Sequence, residues 1–562
     1  MTSRHLPVDA AGSDEELTSA SGTARDSMTV GLWTSVSRAT GVVRVIVIGA
    51  VLGPTFFGNV YQLTNTLPNL IFYGFLAGSL LSSLLVPALV RYIDSGRPEE
   101  TARVSGGFLG VSMVALLGAA PLAVLVLPLL IRLGALGDAG AGATEQMGQT
   151  RLLLILAVPQ VFLYAIIASA TAVSYAHRRY TLAAAAPAVE NIGVIAVLGL
   201  VAAVYGVDHA DAGGVPTSEL LLLGIGSTAA VAVHAAVQWW GAHRFGVALR
   251  PRRGWRDPEV RTVINRAGRS LVQSGLLAAQ VLLVLVVATR VAGGTVAMQI
   301  SFNFYHLPLA LAAAPVALAL LPRLARLEDR QERGDFADAF VRATALAIFL
   351  VTPAAFGFVV LSDALARTIA AGQMGSEAGV ALVSGSLAAI SLGLIGETFF
   401  VVATQAAYSR GDAGTPLVSM GIQTAACLLL AVPALLMSGE RVVILLGGAY
   451  AVASLVGGLH LFVRVRRSCG PSQERLWPSM TRIAAAVAVM VPVVLATSRL
   501  VAGTVDGRLG WVLAVLAGSL GGAISYGLVH LAMRSPELAW LAEGVRPRRR
   551  AAAISAAEGE AP

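Results

Sequence analysis

The chain has 562 residues, of which 56% are hydrophobic and only 13% charged, and its mean hydropathy is +0.74. A water-soluble protein of this size needs far more polar surface, so lipid must solvate most of it. The formal charge of +8 comes from arginines in short loops between apolar stretches, with no lysine anywhere; the positive-inside rule accounts for them, and nucleic-acid binding is not expected.

From the N-terminus, residues 1–28 are polar and hold no short apolar stretch with a small-residue cleavage site, so a disordered cytoplasmic tail is expected rather than a signal peptide. Crossing roughly 30 Å of hydrocarbon takes about 20 apolar residues. Such runs are read at 29–52, 62–91, 104–131, 151–175, 181–205, 218–242, 268–289, 294–322, 340–362, 379–408, 416–438, 442–464, 482–503 and 509–533. The expected class is therefore an all-α polytopic membrane protein with about fourteen spans.

Alternate loops are rich in arginine: Arg91, Arg97 and Arg103; Arg178 and Arg179; a run from Arg244 through Arg269; Arg323 to Arg342; Arg410; Arg464 to Arg482. The others hold isolated ones, such as Arg132, Arg290, Arg367 and Arg441, or none, as in 53–59 and 205–219. An even number of spans in the plasma membrane with both termini cytoplasmic fits every loop.

Span one carries Arg38 and Arg44 within an apolar run, each costing about 2.5–3.5 kcal/mol at mid-helix. Both lie roughly 12–14 Å from the nearer helix end, too deep to reach the interface easily. They need a hydrated cavity or a fixed counter-charge. A guanidinium suits bidentate contact with phosphate, which favours an anion site; a structural ion pair with Glu190 or Glu397 is the alternative.

Span two contains Asn65, Pro68 and Asn69, then Gly74 and Gly78; span five contains Pro187, Glu190 and Asn191. Such interruptions free backbone groups and line substrate paths, although small residues also simply pack helices. His234, His306 and His460 are read as satisfied polar residues with no ligand role. Cys427 and Cys469 are too few and too separated for a disulfide framework or a metal site. With no Lys there is no phosphate loop ending in Lys, there is no His-Glu-x-x-His helix, and ATP-driven chemistry would need a domain absent here; no cofactor or metal is expected, and the chain reads as a transporter rather than an enzyme.

An internal repeat organises the spans. Ala170-Thr171-Ala172-Val173-Ser174-Tyr175 returns as Ala403-Thr404-Gln405-Ala406-Ala407-Tyr408, and Pro87 with Arg91 returns as Pro322 with Arg326. Both imply an offset of about 235 residues, or six spans, and hence two halves related by an axis along the bilayer normal. The expected organisation is an N-lobe at 29–242, an Arg-rich linker at 243–267, a C-lobe at 268–464, two extra spans at 482–533 and a cytoplasmic tail at 534–562.

Ser37-Arg38 with Gly41 and Arg44, Leu67-Pro68-Asn69-Leu70 with Gly78, and Val86-Pro87 resemble the start of MurJ/MviN lipid II flippases. So do Ala185 and Pro187 with Asn191, and Tyr408-Ser409-Arg410-Gly411-Asp412 with Thr415-Pro416. The similarity covers about residues 28–535. It implies the multidrug/oligosaccharidyl-lipid/polysaccharide exporter fold: two six-helix lobes in a V, with two extra helices forming a groove for a lipid tail.

The match is incomplete around the cavity. Val45 stands where the family usually has an acid, Ile71-Phe72-Tyr73 and Ala77 replace basic and acidic positions, and Asn303 replaces an arginine. The resemblance implies flipping of lipid II or a related polyprenyl-pyrophosphate glycan in peptidoglycan biosynthesis, with Arg38 and Arg44 on the pyrophosphate and Asn65, Asn69, Glu190, Asn191, Asn303 and Glu397 as cavity or gating residues. Membrane lipids and the cell-wall synthesis machinery are the other candidate partners. A drug or metabolite exporter on the same fold, a non-transporting scaffold and a membrane glycosyltransferase are the rival readings.

Overall fold

In the computed structural model, residues 11–75, 85–134, 143–207 and 215–541 are described. The helices are α1 (Ala11–Leu52), α2 (Phe56–Phe75), α3 (Val86–Asp94), α4 (Pro98–Gly134), α5 (Ala143–Ala176), α6 (Tyr180–Tyr205), α7 (Thr217–Arg244), α8 (Pro258–Ala288) and α9 (Gly294–Pro308). They continue with α10 (Ala314–Asp329), α11 (Arg333–Ile369), α12 (Glu377–Ser391), α13 (Gly393–Ser409), α14 (Gly414–Ala431), α15 (Glu440–Ser468), α16 (Leu476–Ala502) and α17 (Gly507–Ala532). There is no strand among the described residues.

Among the described residues twelve helices are long and apolar enough to cross a membrane, or thirteen when α12 and α13, bent by 45° across Leu392, count as one span. The remaining span expected, 62–91, is only partly within the described residues, which cover α2 and α3 on either side of 76–84. Ala77 and Gly78 lie outside the described residues.

Other boundaries move for physical reasons. α1 begins at Ala11, inside the tail expected to be disordered, because acidic and small helix-forming residues extend the span's first turns backward. The linker is partly helical: Asp257 accepts hydrogen bonds from the amides of Glu259 and Val260, and Pro258 opens α8 well before residue 268. The span read at 294–322 runs to Asp329 through a π-helical turn, Leu309–Ala313, set between Pro308 and Pro315.

α1, α2 and α4 to α7 pack as one group, and α8 to α15 as a second. The repeated segments fall at matching places, Ala170–Tyr175 near the end of α5 and Ala403–Tyr408 near the end of α13. Outside both groups, α16 and α17 lie against each other and against α11, pinned where the Tyr526 hydroxyl donates to the Phe349 carbonyl (3.0 Å) and Arg482 pairs with the buried Glu537 (3.0 Å). On α17, Leu516, Leu520, Ile524, Leu528 and Leu531 project outward as a continuous apolar stripe, the surface a lipid tail wets.

The two groups meet on the face away from the arginine-rich loops. The Asn59 side chain donates to the Val291 carbonyl (2.7 Å) and accepts from the Thr295 amide (2.9 Å), while the Gly293 amide donates to the Thr55 carbonyl (3.1 Å). Glycine is required at this seam: at Gly293 (φ +77°) a Cβ would lie 2.4 Å from Pro54 Cα, and at Gly372 (φ +54°) 2.4 Å from the Ala50 carbonyl oxygen. Deeper in, the Thr66 hydroxyl donates to Gln299 (3.4 Å), a further polar link across the seam on α2. Toward the arginine-rich face Glu259 of α8 still pairs with Arg91, while along α1 Val45, Ile48 and Leu52 are buried and Leu32, Trp33, Val36 and Arg38 are exposed.

Candidate functional site

Arg38 and Arg44 lie on α1 where it leaves the closed seam, and the structure treats them differently. Arg38 is exposed and makes no ion pair or hydrogen bond among the described residues. Its charge acts on His306 of α9, in the opposite group. His306 is exposed and spends one ring nitrogen on the Phe302 carbonyl (2.7 Å).

Arg44 has a partner. Its Nη1 donates to Glu190 Oε1 at 3.2 Å, and the two side chains are only 12% and 8% exposed. Glu190 also accepts from the Tyr164 hydroxyl (2.8 Å) and, through Oε2, from His234 Nδ1 (2.8 Å). Three donors from α1, α5 and α7 thus converge on one carboxylate of α6. Two nitrogens of the cluster, Arg44 Nε and His234 Nε2, have no partner. A buried carboxylate holding three donors is fully compensated, whereas a buried guanidinium with an idle N–H keeps capacity for another acceptor.

Asn191, one residue along α6, donates through Nδ2 to the Ser37 carbonyl (3.2 Å) and the Thr40 hydroxyl (3.1 Å). It fixes the turn of α1 between the two arginines; Gly41 lies alongside, its place for a Cβ being an ordinary contact of 3.5 Å from the same nitrogen. Asn65 is buried with its Nδ2 unpartnered, Asn69 is half-buried, and Asn303 is half-buried and donates to the Gln299 carbonyl (3.0 Å).

Glu397, the other carboxylate considered for the arginines, pairs with neither. It sits inside the second lobe beside Gln423, with Tyr305 and Tyr450 nearby, and forms no ion pair among the described residues. Of the two carboxylates, only Glu190 neutralises a helix-one arginine. Sequence reading missed the roles of Tyr164, Asn59 and Thr295, whereas His234 is the satisfied polar residue expected, bonded to Glu190. A histidine within an apolar span was the one visible signal for His234, since it must find a partner there.

Two groups of apolar helices joined at a polar seam, with two arginines in the first span beside it, have the architecture of a membrane transporter of the two-lobed multidrug/oligosaccharidyl-lipid/polysaccharide exporter class. Its fold is similar to a solved structure of lipid II flippase MurJ in an inward closed conformation, at a TM-score of 0.63 and 17% identity over 90% of this chain and 99% of that one. It is also similar to a multidrug resistance MATE family transporter in an inward-facing conformation, at a TM-score of 0.60 and 12% identity over 77% and 94%.

Residues 48–512 match the family model described as lipid II flippase MurJ, and the chain belongs to that family. Relatives named probable lipid II flippase MurJ include one from Rhizobium tropici, 25% identical over 78% of this chain and 80% of that protein. Another, from Rhizobium meliloti (strain 1021), is 27% identical over 77% and 79%.

Proposed function

We propose that the chain carries a polyprenyl-pyrophosphate-linked glycan precursor, lipid II or a close relative, from the cytoplasmic to the outer leaflet of the plasma membrane by alternating access, as a transporter without enzymatic turnover. The observation that carries this reading is the exposed Arg38 guanidinium within the apolar first span, without an ion pair among the described residues, in a chain of the MurJ family. A free guanidinium in a space shielded by protein attracts a dianionic head group far more strongly than one in bulk water.

In this scheme the arginine-rich face, with both termini, is cytoplasmic, and the parted state receives the head group there. Arg38 makes the first contact; Arg44, still holding Glu190, offers its idle Nε–H deeper in. Asn191 holds these arginines in register, and Asn65, Asn69 and Asn303 line the path for the sugar. The outward stripe on α17 is the surface along which the isoprenoid tail slides. Opening the Asn59–Thr295 seam releases the cargo outside, to the cell-wall synthesis machinery.

The test is complementation. The chain is expected to rescue a strain depleted of its lipid II flippase, and R38A to abolish rescue while leaving membrane levels unchanged. Failure of the wild-type chain to rescue, together with changed drug sensitivity on deletion, would favour a drug or metabolite exporter.

A further inference from the structure

Away from the interlobe space, a cavity of about 440 Å³ opens at the arginine-rich end of the second lobe, lined by Glu328, Arg410, Asp412, Arg464, Arg467 and Ser468. Its acids are already satisfied by protein groups. Glu328 accepts from Arg410 Nε (3.2 Å), and Arg410 also donates to the Ser468 hydroxyl (2.6 Å). Asp412 accepts from the amides of Gly414 (2.9 Å) and Thr415 (3.0 Å) and from the Thr415 hydroxyl (2.5 Å).

The remaining arginines are not satisfied. Arg464 and Arg467 stand three residues apart on the last turns of α15, hence on one face of it, and both border the cavity. Neither forms an ion pair or hydrogen bond among the described residues, whereas Arg466 between them turns away to the Gly470 carbonyl (3.1 Å). A further guanidinium, that of Arg269, reaches to within 3.8 Å of where a Gly414 Cβ would stand. Like charges gathered in a concavity repel, and an anion in that concavity reverses the sign of the interaction.

We propose that this pocket is a second anion site, separate from the interlobe one, which takes a phosphate group between Arg464 and Arg467. Guanidinium pairs grip phosphate oxygens in parallel two-point contacts. The volume holds a phosphate with an attached glycerol or sugar. Its place at the membrane-proximal end of α15 gives access both to anionic lipid head groups and to soluble phosphates. The proposal stands whether or not the chain flips a glycan lipid.

The experiment uses the full chain carrying R38Q, which removes the interlobe contact. Two probes are read: inorganic pyrophosphate by calorimetry in neutral detergent, and retention of phosphatidylglycerol over phosphatidylcholine by native mass spectrometry from mixed nanodiscs. Adding R464Q/R467Q is expected to weaken binding about tenfold or more. The charge-matched pair R97Q/R179Q, on exposed loops of the first lobe, is expected to leave it unchanged. Loss confined to pyrophosphate assigns a soluble ligand, and loss confined to phosphatidylglycerol assigns a lipid head group. If R464Q/R467Q behaves like the charge-matched pair on both probes, the site does not exist.

Discussion

Neutralising Glu190 tests whether Arg44 serves the fold, the substrate, or both. The Arg44–Glu190 pair is almost wholly removed from solvent, and breaking such a pair from one side typically costs about 3–5 kcal/mol because the surviving charge is stranded. Glu190→Gln keeps one acceptor oxygen, so its cost is set lower, about 2–4 kcal/mol. Arg44→Gln leaves Glu190 with the Tyr164 and His234 donors and costs less again, about 1–3 kcal/mol.

The double variant R44Q/E190Q buries two neutral amides in place of two charges. It should be more stable than the sum of the single changes by about 1–3 kcal/mol. Thermal unfolding of the purified chain in detergent reads that coupling, and flipping of a labelled lipid-linked glycan in proteoliposomes reads function. R44Q and R44Q/E190Q should both be deficient in flipping, although the second regains stability. Wild-type flipping by the stable double variant would refute the reasoning and leave Arg44 a purely structural partner.

The seam makes a separate prediction: Asn59→Leu keeps the size of a 1% exposed side chain but orphans the Val291 carbonyl and the Thr295 amide, at about 1–3 kcal/mol each. Spin labels on the two lobes either side of the seam should show a new long-distance population, and an unchanged distance distribution would remove Asn59 from the gate. At the loop before α14, burial pushes the Asp412 carboxyl up. The Thr415 hydroxyl, the Thr415 and Gly414 amides and Arg410 outweigh it and hold the group below its ordinary value of 3.8. With the folded value depressed, the stabilisation is complete above the ordinary value and disappears as pH falls through the folded one. Hydrogen-exchange protection of the Gly414 and Thr415 amides should therefore be flat at neutral pH and fall only in strong acid, while Asp412→Asn abolishes the acid step.

Much of this protein is written locally. Each span is an apolar run of sufficient length, each arginine-rich loop declares a face, and the two arginines of α1 advertise a polar interior because hydrocarbon does not tolerate them. The recurrence of Ala170–Tyr175 at Ala403–Tyr408 is legible in the chain, and the two segments fall near the ends of α5 and α13. Tertiary structure alone decided which carboxylate meets Arg44, that Arg38 stays free, and that Asn59 closes the seam with residues of the other lobe. The reason is rotational. A soluble helix shows its buried face by amphipathic periodicity, but a membrane helix is apolar nearly all round, so its sequence hardly encodes which way it turns about its axis. Glu190 and Glu397 looked equivalent in the linear chain; the turn of α6 against α1, held by the Asn191 bonds to Ser37 and Thr40, selected the first. Breaks in the spans escaped notice for a related reason: Pro308 and Pro315 are visible, but whether they bend, widen or leave a helix straight depends on what its neighbours offer the freed carbonyls.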